Sequence, residues 1–287
     1  MSNPIPVRGG LPPVKAMPAR PSAPVAEKET VTFTKIEKDT TGDRIVLYGS
    51  GGTGKTTLAC SLPGPVAFFD FDKSLEKLGK QPGADKLLEN VIEIKGVETW
   101  EQLRRKLQAA GWDSIRSIVI DSLSVAQAMA ITWMFENIKE KGAAVTRMED
   151  YGYKAGYRHL FDTFCLLFAD LDAHVKAGRH VVLICHDADS KVPNPQGLDW
   201  LRSEPRLENE KNCQLRFRIK EWADHVLFVK LDVNVGKDGK GQGCGTRTVY
   251  TSELPHCMAK SRTTQGDFAL IEGDDFWSKV IYSTKGG

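Results

Sequence analysis

Apolar residues in this chain come in short dense runs set between longer stretches of mixed polarity. Residues 44–48 (RIVLY), 66–69 (VAFF), 117–121 (SIVID) and 180–185 (HVVLIC) are such runs, rich in β-branched and aromatic side chains and without alternation. A run of that kind is a strand covered on both faces. The segments between them carry helical signals. One helix is predicted from Lys55 to a stop at Pro63-Gly64, an amphipathic one over 100–110, a long one from Ser122, as cap, to about residue 139, and another over about 157–177. Strands alternating with helices predict a mostly parallel sheet with helices on both faces.

The last third changes character. Residues 187–220 are polar with many basic side chains, whereas 225–233 and 246–252 read as strands joined by a flexible glycine-rich turn at 236–243. Residues 257–262 would add a third antiparallel strand. The expected fold class is therefore α/β, with antiparallel strands at the C-terminal end. Residues 1–30 hold seven prolines, from Pro4 to Pro24, and no helical or strand period. Such a segment cannot bury enough surface to offset its ordering entropy. It is expected to be a disordered arm ahead of one domain over 31–287.

Composition narrows the function classes. With 41% hydrophobic residues the chain can bury one substantial core. The net charge is +2, from 39 basic and 37 acidic residues, so affinity for nucleic acid would have to come from local patches. The six cysteines include no C-x-x-C pair, and His256-Cys257 with distant Cys244 fits no zinc spacing. These are expected to be reduced thiols of a cytoplasmic protein. No apolar run approaches the roughly 20 residues that span a bilayer, and the N-terminus lacks the apolar core of a signal peptide.

One motif carries chemistry by itself. Gly49-Ser50-Gly51-Gly52-Thr53-Gly54-Lys55-Thr56 satisfies G-x-x-x-x-G-K-[ST] between a buried strand and a helix. Glycines let consecutive backbone N–H groups turn onto phosphate oxygens, and the helix N-terminus adds partial positive charge. Lys55 would reach the β- and γ-phosphates of ATP, and the Thr56 hydroxyl would bind Mg²⁺. Asp121, at the end of an apolar strand, is the natural second Mg²⁺ group. Ser122 follows it rather than an acid, so a water-activating base must come from elsewhere. Alternation through 66–75 would place Asp70 and Asp72 on one side, at the carboxyl end of a parallel strand where ligands bind.

The run AFFDFDKSL at 67–75 resembles the segment of RecA that carries its catalytic glutamate, with Asp72 at that position. Residues 133–178, with YGYKAGYR at 151–158, followed by VVLICH at 181–186, resemble phage-encoded AAA-type ATPases with a RecA core. Some of these are RecA-like single-strand annealing proteins. His186 stands where RecA has the glutamine that senses γ-phosphate and opens the second DNA-binding loop. MAKSR at 258–262 is similar to the K-x-K strand of RecA that reaches a neighbour's ATP, which points to Lys260 and Arg262.

The resemblance covers residues 40–280 and implies a RecA-like P-loop ATPase. It further implies a homo-oligomeric ring or filament that binds single-stranded DNA beside phage recombination or replication proteins in a bacterial cytoplasm. Two departures bear on rate: Asp72 is one methylene shorter than glutamate, and His186 has a charge that varies near neutral pH. The plainer readings stay open. They are a solvated loop acid at 72, a strand-end histidine at 186, and surface cations blocking an edge strand at 260 and 262.

The DNA-facing loops implied are about 139–156 and 187–220. The second carries Lys191, Arg202, Arg206, Lys211, Arg216, Arg218 and Lys220 with Trp200 and Phe217 interleaved, diluted by acids. Cations neutralise phosphates and aromatics stack bases, which suits single strands. Arg216, Arg218 and Lys220 alternate at strand spacing and would line one face. Alternatives are a P-loop protein acting on protein partners, as a helicase loader does, and an annealing module using ATP only to assemble.

Overall fold

Each apolar run becomes a strand, and every strand of the central sheet's middle is covered on both sides. The computed structural model describes residues 31–35, 40–235, 241–264, 266–271 and 273–281; the arm predicted over 1–30 and residues 236–240 of the expected turn lie outside them, whereas 241–243 of that turn are paired as strand. The described residues from 40 to 281 belong to one compact unit. Strand β1 (Arg44–Tyr48) leads through α1 (Lys55–Cys60) to β2 (Val66–Asp70). Two short helices, α2 (Ser74–Leu78) and α3 (Ala84–Leu88), carry the chain to β3 (Val91–Glu93). Then come α4 (Trp100–Gln108), β4 (Ser117–Asp121), α5 (Leu123–Asn137), α6 (Ala155–Lys176) and β5 (His180–Cys185). A hairpin follows, β6 (Asp187–Val192) and β7 (Trp200–Pro205), then a small pair, β8 (Asn209–Glu210) and β9 (Cys213–Gln214), and α7 (Leu215–Trp222). The chain closes with β10 (His225–Val235), β11 (Gly241–Tyr250), β12 (Lys260–Ser261), β13 (Phe268–Ala269) and α8 (Phe276–Val280).

The main sheet runs β13-β11-β10-β1-β5-β4-β2-β3, with β12 on the edge of β10. β3, β2, β4, β5, β1 and β10 are parallel; β11 and β12 run antiparallel to β10. This is the predicted fold class, α/β with a mostly parallel sheet, flanking helices and antiparallel strands towards the C-terminus. β1 and β4 are separated by β5 alone, so the loops leaving their C-terminal ends meet over one crevice.

Alternate residues of each central strand feed two cores. Val46, Tyr48, Phe69, Ile120, Leu183 and Phe228 pack with α4 to α7, through Leu103, Ala126, Phe164 and Trp222. Ile45, Leu47, Phe68, Val119, Ile184 and Leu227 pack with α1, α2 and α8, through Leu58, Leu75 and Trp277. Trp277 also donates its indole N–H to the Leu58 carbonyl at 2.8 Å, which fastens the last helix to the helix of the phosphate loop. Each such side chain, fully buried, stabilises the fold by about 1.5–3 kcal/mol.

Two local expectations are corrected. Ser122 does sit at the N-cap of α5, but its hydroxyl makes no cap bond and is buried without a partner. Arg216, Arg218 and Lys220 do not lie on a strand. They are on α7, which buries Leu215, Ile219 and Trp222 at helical spacing. Arg218 therefore points away from the other two and lies over the Phe168 ring, 5.8 Å from its centre. Arg216 donates to Glu204 at 3.0 Å and to the Leu207 carbonyl at 2.8 Å, and Lys220 pairs with Glu253. Glu204 is 2% exposed. Burial raises its pKa, but its bonds to Arg202 and Arg216 outweigh that and hold it below the ordinary value. The basic residues thus clamp the β6–β7 hairpin to α7.

Candidate nucleotide site

The chain from Gly49 to Gly54 leaves the end of β1 and wraps into the first turn of α1. Gly52 and Gly54 take φ of 79° and 85°, a left-handed backbone that a side chain would strain. Gly49, at φ 152°, is required by contact as well, since a Cβ there would stand 2.2 Å from the Val229 carbonyl oxygen of β10. A Cβ on Gly51 or Gly52 would meet nothing within 4 Å, so the loop opens onto free space. Thr53 closes the turn by donating to the Ser50 carbonyl at 2.9 Å. The Lys55 ammonium, almost wholly buried, donates to the carbonyls of Gly49 and Ser50 at 2.7 Å each. Burial lowers its pKa, and the carboxylates of Asp121 and Asp187 oppose the shift.

Thr56 and Asp121 meet. The Thr56 hydroxyl donates to Asp121 Oδ2 at 2.7 Å. Asp121 ends β4 beside Asp70 of β2 and Ile184 of β5. Burial pushes its carboxyl up to about 6, Asp72 and Asp70 push the same way, and the Thr56 bond and the charge of Lys55 oppose. Crowded carboxylates beside a hydroxyl are hard oxygen donors short of positive charge, which is what Mg²⁺ supplies. These residues fit the ion, and Thr56 and Asp121 would hold it.

The two acids after β2 part company. The extended run ends at Asp70, whose carboxylate accepts from the N–H groups of Ser74 and Leu75 at 2.9 and 2.8 Å. Asp70 is thereby tied to the start of α2. Asp72 lies in the turn beyond, with Oδ2 3.4 Å from His186 Nε2. The next residue, Asp187, accepts from the Ser50 hydroxyl at 2.7 Å. So the first residues past β5 touch both the phosphate loop and Asp72, and they open the β6–β7 hairpin.

Lys260 and Arg262 lie elsewhere. β12 pairs with the first residues of β10, His225 and Val226, whereas the phosphate loop leaves the opposite end of β1. Lys260 donates to the carbonyls of Lys220 and Ala223 at 2.9 and 2.6 Å, where α7 ends. Arg262 is 3.2 Å from Asp224. The pair therefore stands away from the phosphate loop of its own chain. Sequence reasoning missed Arg247, on β11, whose Nη1 donates to the Thr53 carbonyl at 3.3 Å. No local pattern marks it, because it reaches the loop through the register of β11 on β10.

Residues 41–263 match a protein family described as an AAA domain. The chain belongs to that AAA domain family. Its phosphate loop, Thr56 and Asp121 all fall within the matched segment, as do Asp72, His186, Lys260 and Arg262. Comparison with curated proteins gives no match. Among solved structures, this AAA domain is similar to the crystal structure of the RadB recombinase at 14% identity and a TM-score of 0.41, over 73% of this chain and 80% of that one. Among the described residues no helix is long and apolar enough to cross a membrane.

Proposed function

We propose that this AAA domain is a RecA-like ATPase of phage type that binds single-stranded DNA in recombination or strand annealing. Water attacks the γ-phosphate with Asp72 orienting it and Lys55 offsetting the charge that develops; Thr56 and Asp121 would hold a Mg²⁺, which would supply further positive charge there. His186 steadies Asp72 and faces the γ-phosphate. Subunits assemble as a ring or filament in which Lys260 and Arg262 serve a neighbour's site.

One observation carries the DNA reading: the β6–β7 hairpin is rooted at the nucleotide site through Ser50–Asp187 and Asp72–His186. Its far end presents Lys191, paired with Asp199 at 3.1 Å but exposed, and Trp200 to solvent, a cation and a stacking platform. A hairpin so rooted would move with the nucleotide. A second reading has support from the same tip, where Leu198 and Leu201 are 91% and 67% exposed. Apolar side chains of that kind suit a protein partner, as in a helicase loader.

ATP turnover with and without single-stranded DNA, in the wild type and in Trp200→Ala with Lys191→Ala, separates the two. Stimulation by DNA that the double variant loses supports DNA binding. Turnover indifferent to DNA in the wild type removes it and leaves the protein-partner reading. Binding of ATP without turnover would instead favour an annealing module that uses ATP only to assemble.

A further inference from the structure

β10 and β11 extend past the end of β1 and form a wall beside the phosphate loop. Tyr48, the last residue of β1, pairs with Phe228, and β10 runs on through Val229, Lys230 and Leu231. Arg247 stands opposite Leu231, above the level at which the loop begins. From there its side chain crosses to the loop, with Nη1 3.3 Å from the Thr53 carbonyl oxygen. It lies flush on the backbone, since a Cβ on Gly54 would come within 2.3 Å of that same nitrogen. Glycine at 54 thus serves the guanidinium as well as the left-handed turn.

The charge of Arg247 has no ion-pair partner among the described residues, although the arginines that clamp the hairpin, Arg202 and Arg216, both have one. A guanidinium has five N–H donors, and among the described residues one carbonyl, that of Thr53, accepts from Arg247. A cation with spare donors, laid against a loop built for phosphate, is arranged to receive an anion.

The side from which it comes says which part. Asp121 reaches the loop from β4, across β5, on one side of β1; Arg247 comes from β10 and β11 on the other. The metal and γ-phosphate belong with Asp121 and Lys55, so Arg247 faces the flank nearer the α-phosphate and nucleoside. We infer that Arg247 is a nucleotide-binding residue, supplied by the same chain, that grips the portion common to ATP and ADP. This deepens the ATPase reading and rests on it.

The test is binding of ATP and of ADP, each with Mg²⁺, to wild type, Arg247→Ala and Arg247→Lys, together with turnover at saturating ATP. Loss of a charge-assisted contact should weaken both nucleotides at least ~10-fold and by similar factors. kcat should stay within about threefold, and Arg247→Lys should fall between. The thermal midpoint of the nucleotide-free protein should fall by only a few degrees, ~1 kcal/mol for one hydrogen bond. Should Arg247→Ala not fold, Arg247→Gln keeps a donor to the Thr53 carbonyl without the charge and is expected to weaken both nucleotides likewise. Unchanged affinities in the variants overturn the inference, and so does a loss confined to kcat or to ATP alone. A wild type that binds neither nucleotide would sink the ATPase reading itself, a distinct result.

Discussion

The Thr56 hydroxyl and the Asp121 carboxylate, 65 residues apart in sequence, lie 2.7 Å apart between the first turn of α1 and the end of β4. A phosphate-bound metal would enter between these two oxygens. Lys55→Ala and Asp121→Ala should each cut Mg²⁺-dependent turnover by at least ~10²-fold. Protons compete with the metal for Asp121, whose pKa is pushed up to about 6. Mg²⁺ affinity should therefore fall as pH drops below about 6 and level off above it. Titration of Mg²⁺-supported ATP binding from pH 5 to 8 checks this, and a flat profile would remove Asp121 from the metal site.

Asp70 and Asp72 should behave differently. Asp72→Asn keeps size and polarity but loses the anion that orients water, so it should bind ATP and hydrolyse it at least ~10²-fold more slowly. Asp70→Asn weakens a carboxylate that holds two N–H groups of α2. Its loss should appear as about 1 kcal/mol of stability, read by denaturant unfolding. Normal turnover in Asp72→Asn with lost turnover in Asp70→Asn would reverse the assignment.

Asp43 is a stability element at the other end of the sheet. Its carboxylate lies 3.0 Å from His180 Nδ1 and 3.6 Å from His225 Nε2, its backbone N–H donates to that same Nδ1 at 3.1 Å, and so it links the starts of β5 and β10. Burial raises its pKa, but the two imidazoles beside it outweigh that and bring it down to about 2. A depressed carboxyl stabilises the fold fully above the unfolded value near 4 and ceases to do so as pH falls through about 2. Asp43→Asn should lose about 2 kcal/mol at pH 7 and show a shallower acid limb. Denaturant unfolding at pH 7, 4 and 3 measures both, and an acid limb equal to that of the wild type would rule the pairing out.

Lys260 and Arg262 test assembly. The double alanine variant should fold and bind ATP but hydrolyse it poorly, because a neighbour's γ-phosphate loses its cations. Mixed with Lys55→Ala, it should recover part of the activity, since some interfaces then join an intact phosphate loop to intact cations. No recovery while subunits demonstrably exchange would argue against a shared site. The carbonyls that hold Lys260 at the end of α7 would then be its whole role.

What could be read from sequence was what is local. The four apolar runs became central strands because each is buried on both faces and needs no alternation to be recognised. The phosphate loop was legible because all eight residues are contiguous. Residues 216–220, R-F-R-I-K, misled because charge alternates there by accident, and the true period, Leu215, Ile219 and Trp222, spans beyond them. The stretch 74–98 stayed unread because α2 and α3 are five residues each, too short for a period to emerge. Arg247 was out of reach for another reason: its place depends on how far β10 overruns β1.

Tyr48, the last residue before the phosphate loop, sets its hydroxyl between the carbonyls of Ser203 on β7 and Met258, at 2.9 and 2.7 Å. Base of hairpin and base of loop are thus one fixture, while residues 193–199 at the tip are held by neither. The tip is a cassette. Its length and chemistry can be changed without resetting the hydrogen bonds that fix its base.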